Sequence, residues 1–260
     1  MQYYKRCFLE LLVTTIKRGS LYVHVGCMKS GKSEALLSAL RCNQIADDRD
    51  GLSEPSFLAL QPRTNTRDVY KEGPLKGQPY INSRASNGEK VPAIYVPNNH
   101  PDEIFNLVGE KRAVFIEEGH MFGLEANFDP TKHWSLDHVV MALVEGGVDV
   151  TVSALDTDFA GRYFGVVSNL VGFAQYAGEA IVHKEGVCDI RGCRTSSTRT
   201  QRLRNGKPVT IADPVLSPEG AEEGVIYEAR CFDHHELAPI DDEDSASILG
   251  PQALAQRVVS

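Results

Sequence analysis

The clearest chemistry in this chain lies in Gly26-Cys27-Met28-Lys29-Ser30-Gly31-Lys32-Ser33. The spacing G-x-x-x-x-G-K-[ST] is that of the phosphate-binding loop of nucleoside triphosphate enzymes. Gly26 and Gly31 allow the backbone to turn so that successive N–H groups face phosphate oxygens, and a following helix start adds partial positive charge. Lys32 would reach the β- and γ-phosphates, and the Ser33 hydroxyl would ligate Mg²⁺. A second group is Glu117-Glu118, directly after the apolar run Ala113-Val114-Phe115-Ile116. Carboxylates at the tip of a buried strand are the usual partners of a phosphate loop: one holds Mg²⁺ and another can act as a base. The third group is late in the chain: Cys188, Cys193, and then Cys231-Phe232-Asp233-His234-His235. Two nearby cysteines followed by Cys-x₂-His fit a structural zinc site, with either His234 or His235 as fourth ligand.

These groups need a scaffold, and the hydrophobic patterning predicts one. Leu21–Val25 reads as a buried strand before the phosphate loop, and Glu34–Leu40 as a helix after it. Asp47–Gly51 reads as a polar loop, Ser56–Leu60 as a strand, and residues 69–92 as an exposed, mobile connection rich in Gly, Pro, Asn and Ser. Pro92–Val96 is a short strand, Pro101–Val108 a helix, Ala113–Ile116 a strand, and Ser135–Glu145 a helix stopped by Gly146-Gly147. Val148–Ala154 is a further strand, and Phe164–Tyr176 an apolar helix. This alternation predicts an α/β fold, a parallel sheet flanked by helices. At about residue 181 the character changes, so the expected organisation is an N-terminal extension over 1–19, a phosphate-loop α/β domain over 20–180, a zinc-binding domain over 181–236 and an acidic tail over 237–260.

Composition bounds the function. The chain has 260 residues, 42% hydrophobic and 24% charged, a globular balance. A net charge of −8 argues against a general nucleic-acid or membrane-surface binder. No apolar run is long enough to span a bilayer. The six cysteines read as free thiols or metal ligands in a reducing, cytoplasmic setting. A local basic stretch, Arg191, Arg194, Arg199, Arg202, Arg204 and Lys207, reads as a solvated loop or as a surface for phosphate or nucleic acid.

Taken together, the motifs resemble the type II thymidine kinases, the zinc-containing, tetrameric kind, over about residues 20 to 236. The family's loop is present with its methionine, as Gly26, Met28, Ser30, Gly31, Lys32 and Ser33. Its Lys-Pro-x-x-Asp-Thr-Arg segment stands as Gln61-Pro62-Arg63-Thr64-Asn65-Thr66-Arg67. Its Asp-Glu-Gly/Ala-Gln-Phe-Phe segment stands as Glu117-Glu118-Gly119-His120-Met121-Phe122. Ala154-Leu155-Asp156-Thr157-Asp158-Phe159-Ala160-Gly161-Arg162-Tyr163-Phe164 is close to the family's Gly-Leu-Asp-x-Asp-Phe-x-Gly-x-x-Phe, and Thr200–Leu203 and Tyr227–Cys231 match its last segments.

The resemblance implies transfer of the γ-phosphate of ATP to the 5′-hydroxyl of thymidine, with Mg²⁺ and a structural Zn²⁺, by a cytoplasmic homotetramer. It implies Glu118 as general base. ATP and Mg²⁺ would be held by residues 26–33, including Cys27 and Lys29, together with Arg67 and Glu117. A nucleoside pocket would comprise Met121, Leu155, Phe159, Phe164, Thr200 and Tyr227, closed by a lasso-like loop in about 210–227. Cys188, Cys193, Cys231 and His234 would be the zinc ligands. The chain departs from the family pattern at Asn65 and Glu117, both replacing aspartate, and at His120 and Met121, replacing Gln and Phe. The competing expectation is a phosphate-loop nucleotide-binding protein, or a nucleic-acid-dependent ATPase with a zinc knuckle.

Overall fold

The structure, a computed structural model, describes residues 17–82, 90–124, 128–215 and 223–238. Most of the expected N-terminal extension and of the acidic tail lies outside the described residues. At the centre are six parallel strands in the order β5-β2-β6-β7-β1-β8. They are β1 (Leu21–Gly26), β2 (Phe57–Pro62), β5 (Ile94–Val96), β6 (Ala113–Ile116), β7 (Asp149–Leu155) and β8 (Ala180–Lys184). The α/β expectation is met. β8 pairs with β1, so the sheet continues past residue 180.

Both faces of the sheet are covered, and strand alternation shows how. Phe57, Ala59, Ala113 and Phe115 pack with Leu36, Leu37 and Leu40 of α1 (Lys32–Asp50). Their neighbours Leu58, Leu60, Val114 and Ile116 point the other way. There they join Ile104 of α2 (Ile104–Val108), Val139, Val140 and Leu143 of α3 (Leu136–Glu145), and Val167 and Leu170 of α4 (Gly165–Ala177). A sheet buried on both faces has near-continuous apolar strands, which is why β1 and β6 were legible.

Two sequence expectations change. Asp47–Asp50 is not loop: α1 continues through it, and Gly51, at φ 71°, ends the helix by donating its N–H to the carbonyls of Asp47 and Asp48. Residues 48–50 are the solvent side of this last turn, while Asp47 is buried and accepts from the Ser56 N–H and hydroxyl. Residues 69–92 are not wholly an exposed connection either. β3 (Tyr80–Asn82) and β4 (Lys90–Pro92) pair antiparallel. Ile81 is fully buried against α1 and the sheet.

The C-terminal part is built of ribbons. β9 (Gly186–Val187) pairs with β10 (Ser196–Ser197), and β11 (Arg199–Arg204) lies between β12 (Lys207–Pro208) and β13 (Val225–Arg230). No described helix is long and apolar enough to cross a membrane. Ile81→Ala is expected to cost about 2–4 kcal/mol in urea unfolding, the range for a truncated core side chain. A loss below about 0.5 kcal/mol, as on an exposed surface, would contradict this packing.

Candidate active site

Because the sheet is parallel, the carboxyl ends of β1, β2, β6 and β7 share one edge, where α/β sheets bind ligands. The phosphate loop leaves β1 there. A Cβ on Gly26 would lie 2.1 Å from the Lys184 carbonyl oxygen of β8, so glycine is required by the closeness of the neighbouring strand. Gly31, at φ 81°, opens α1, and Lys29 is also left-handed at φ 61°. Lys32 is buried and donates from Nζ to the Cys27 carbonyl at 2.6 Å and to Ser30 Oγ at 3.4 Å. Burial lowers its pKa, against the pull of Glu118 and Glu117.

The loop is also held from the C-terminal ribbons. Cys27 Sγ donates to the Ser197 carbonyl at 3.2 Å, and the Met28 N–H donates to Thr200 Oγ1 at 3.1 Å. Lys29 Nζ donates to Asp189 Oδ2 at 2.6 Å, and that oxygen also accepts the Ala229 N–H. Thr200 thus touches the phosphate loop itself. Asp189 and Ser197 were not singled out from the sequence, where an acid and a serine in a ribbon carry no signal.

At the tip of β6 the two glutamates face different surroundings. Ser33 Oγ donates to Glu117 Oε1. Glu117 Oε2 is buried and has no hydrogen-bond partner among the described residues. Burial, reinforced by the charge of Glu118, pushes Glu117 up to about 7. Glu118 sits in the left-handed region at φ 53°, a conformation that costs a non-glycine residue about 1–3 kcal/mol and tends to mark functional sites. Its Oε1 accepts from Arg67 Nη2 at 3.2 Å. Burial opposes its ionisation, but the charges of His120 when protonated, Arg67 and Lys32 outweigh it and hold Glu118 below the ordinary glutamate value. Adjacent carboxyls pushed apart in this way divide the roles: Glu118 is the anion, and Glu117 is the group in which burial and the charge of Glu118 outweigh Lys32.

Arg67 is itself positioned. Its Nε donates to Asn65 Oδ1 at 3.4 Å, while Asn65 Nδ2 donates to Gln61 Oε1 at 2.9 Å. Gln61 and Asn65 are buried. The two departures from the Lys…Asp pattern are therefore one paired change, in which two amides hydrogen-bond to each other. Asn65, in the place of the family's aspartate, lies behind Arg67.

The apolar candidates fall into two groups. His120 and Phe164 are in ring contact at 4.9 Å, and His120 Nδ1 accepts the Leu155 N–H at 3.2 Å. Burial pushes His120 down to about 4, so the ring is neutral and carries its proton on Nε2. Met121 is next in the turn, with its Sδ near Thr64 Oγ1 at 3.7 Å and its carbonyl accepting from Asn98 Nδ2 at 2.9 Å. Phe159 and Tyr227 form the second group, around the fully buried Arg202, whose guanidinium carbon lies 5.4 and 5.8 Å from their ring centres. Arg202 also donates to the Pro214 carbonyl, and Arg204 pairs with Asp213 at 2.6 Å. Part of the basic stretch is thus internal framework rather than solvated loop. Residues 216–222 of the expected lasso lie outside the described residues.

The metal candidates converge. Cys193 Sγ is 4.0 Å from Cys231 Sγ, and His234 Nδ1 is 3.6 Å from Cys188 Sγ and 3.1 Å from Cys231 Sγ. All four ligand atoms lie within 4.8 Å of one another. Zinc bonds of about 2.0–2.3 Å imply tetrahedral edges of roughly 3.3–3.8 Å, which this cluster brackets. Hydrogen bonds from Thr195 lower Cys193 to about 6, favouring the thiolate a metal needs. His234 is the histidine in the cluster. His235 turns away, with Nε2 3.2 Å from the Phe159 carbonyl.

Comparison with known proteins places this geometry. The family model described as thymidine kinase matches residues 19–235. A thymidine kinase from Coprothermobacter proteolyticus is 30% identical over 219 residues, covering 84% of this chain and 91% of that protein.

Glu117 gives a signed pH prediction. Its folded pKa of about 7 lies above its ordinary value of 4.5, so the native state binds the proton more tightly. Stability is therefore lost as pH rises from about 4.5 through 7. Glu117→Gln should be more stable than wild type at pH 8, by on the order of 1–3 kcal/mol, with the gap closing at pH 5. Urea unfolding without added metal at both pH values checks this; a constant gap would refute it.

Proposed function

The chain belongs to the thymidine kinase family, and from that premise we propose that it transfers the γ-phosphoryl group of ATP to the 5′-hydroxyl of thymidine. The observation that carries the mechanism is the split glutamate pair at the tip of β6, with Glu117 on the phosphate-loop serine and Glu118 on Arg67. Glu118 is the general base. Its low pKa keeps it ionised at neutral pH, with Oε1 held by Arg67 and Oε2 lying 3.5 Å from His120 Nδ1. Arg67, held through Asn65 and Gln61, steadies charge on the group in transfer. Lys32 exchanges the Cys27 carbonyl for phosphate oxygens, and the N–H groups of residues 26–33 cradle the phosphates.

Ser33 and Glu117 fit Mg²⁺. They offer hard oxygen donors, and the buried, partnerless Glu117 Oε2 is an oxygen that a cation would satisfy. Bound there, Mg²⁺ supplies charge neutralisation to the phosphates. Met121, Leu155, Phe159, Phe164, Thr200 and Tyr227 remain the proposed nucleoside-facing set, with neutral His120 beside Phe164 as an added donor.

Cys188, Cys193, Cys231 and His234 fit Zn²⁺, which would tie the ends of β9, β10 and β13 into one body. The same body holds Cys27, Met28 and Lys29. Its role here is to hold the phosphate loop in shape.

Phosphorylation of thymidine with ATP and Mg²⁺ tests the assignment. Glu118→Gln should lower kcat about 10²–10⁴-fold with a smaller change in the KM for thymidine, as for loss of a general base. An unchanged kcat, or no product from folded wild type, would sink it. Cys193→Ser should lose the bound zinc and raise the KM for ATP more than that for thymidine, measured with metal analysis alongside. Equal changes in both would separate the zinc site from the loop.

A further inference from the structure

A second side-chain cluster lies away from the phosphate loop, on the flank of the sheet that carries α2 and α3. His100 precedes the 3₁₀ turn Pro101–Glu103, which contains Asp102, and His133 lies just before α3. His100 Nδ1 is 3.2 Å from His133 Nδ1, and His133 Nδ1 is 3.5 Å from Asp102 Oδ2. All three ligand atoms lie within 4.8 Å of one another. We propose that His100, Asp102 and His133 form a second metal site, for a first-row divalent cation of the Zn²⁺ class.

The spacing of the ligand atoms is that of ligands around an ion, while the two rings also meet edge to face with centroids 4.2 Å apart. Bonds of about 2.0–2.2 Å to imidazole nitrogen and carboxylate oxygen imply tetrahedral edges of roughly 3.3–3.6 Å, and the two close separations fall at that spacing. Hydrogen bonding alone accounts for the cluster poorly. The proton of one Nδ1 can bridge to the other ring or to Asp102, but not to both. Asp102 Oδ1 is buried with no partner among the described residues. A cation between the rings and Asp102 would satisfy both Nδ1 lone pairs and Oδ2 together, and binding by both carboxylate oxygens would bring in Oδ1 as well.

The ligands are held in advance by their own backbone. The His100 N–H donates to the Pro97 carbonyl at 3.1 Å, and the His133 N–H to the Asp129 carbonyl at 3.1 Å. Asp129 in turn accepts from the Thr131 N–H and hydroxyl. All three ligands are partly exposed, so an ion can enter from solvent and keep water in its remaining position. Two imidazoles and one carboxylate suit Zn²⁺, Co²⁺, Ni²⁺ or Cu²⁺ over Mg²⁺ or Ca²⁺. The bound ion would tie the segment before α3 to the turn after β5. That turn also carries Asn98, which holds the Thr64 N–H at 3.2 Å and the Met121 carbonyl at 2.9 Å. The site therefore braces the outer side of the substrate-facing turn without touching the reacting groups.

The test is a Zn²⁺ titration by calorimetry on full-length protein washed with a mild chelator that leaves the cysteine site loaded. Wild type should take up a further equivalent per chain that His133→Gln does not. Asp102→Asn should weaken that uptake by at least about tenfold. Zn²⁺ should raise the Tm of wild type and not of His133→Gln. Co²⁺ in this site should show no thiolate charge-transfer band, which distinguishes it from the cysteine cluster. His100→Asn replaces His133→Gln if the latter does not fold, and basal phosphorylation should be retained in either. Equal Zn²⁺ uptake by wild type and a folded histidine variant, or no uptake by wild type, would overturn the site and leave the cluster as a histidine–carboxylate hydrogen-bond chain.

Discussion

The constraint behind the active edge is that two neighbouring carboxyls end one buried strand and cannot share the same fate. Glu117, turned inward onto Ser33, loses water and rises to about 7. Glu118, turned outward by its left-handed backbone, meets Arg67 and stays ionised. The left-handed turn at Glu118, just past the end of β6, breaks the extended backbone and sends the two carboxyls to different partners, one in a cation's place and the other in a base's place. The buried sheet beneath supplies the desolvation that raises Glu117 and that the charges around Glu118 outweigh.

The phosphate loop depends on the C-terminal ribbons as much as on its own glycines. Each of Cys27, Met28 and Lys29 has a partner there, in Ser197, Thr200 and Asp189. Gly186 is in the same seam: a Cβ on it would lie 3.0 Å from the Lys29 carbonyl oxygen. The cysteine cluster sits at the ends of these ribbons, so a metal there would reach the phosphate loop through very few bonds.

The departures from the family pattern look different in three dimensions. Gln61 and Asn65 replace a lysine and an aspartate, and they meet each other. A buried pair of opposite charges and a buried pair of amides are both ways to satisfy polar groups, and the amides do so without the desolvation cost of ions. His120 likewise finds a local partner in the Leu155 N–H and is kept neutral by burial, so the change from glutamine adds no charge at neutral pH.

The sequence by itself determined the α/β class, the phosphate loop, the glutamate pair and the two halves of the cysteine cluster. Each rests on a local rule: apolar runs for strands buried on both faces, glycines where a loop must turn, and ligands at fixed short spacings. It did not determine that α1 continues through Asp47–Asp50, because a helix with a polar outer face reads as loop once its apolar stripe ends. Nor did it show that Ile81 belongs to the core, since a three-residue strand carries too little pattern. Only the tertiary structure turned His235 away from the cysteines, joined Gln61 to Asn65 and placed both behind Arg67. It also buried Arg202 between Phe159 and Tyr227, and brought His100 and His133 together. These are contacts between residues on different elements, or choices of which way a turn points. They are fixed by packing and by the partners that buried polar groups must find, and neither is written in the spacing along the chain.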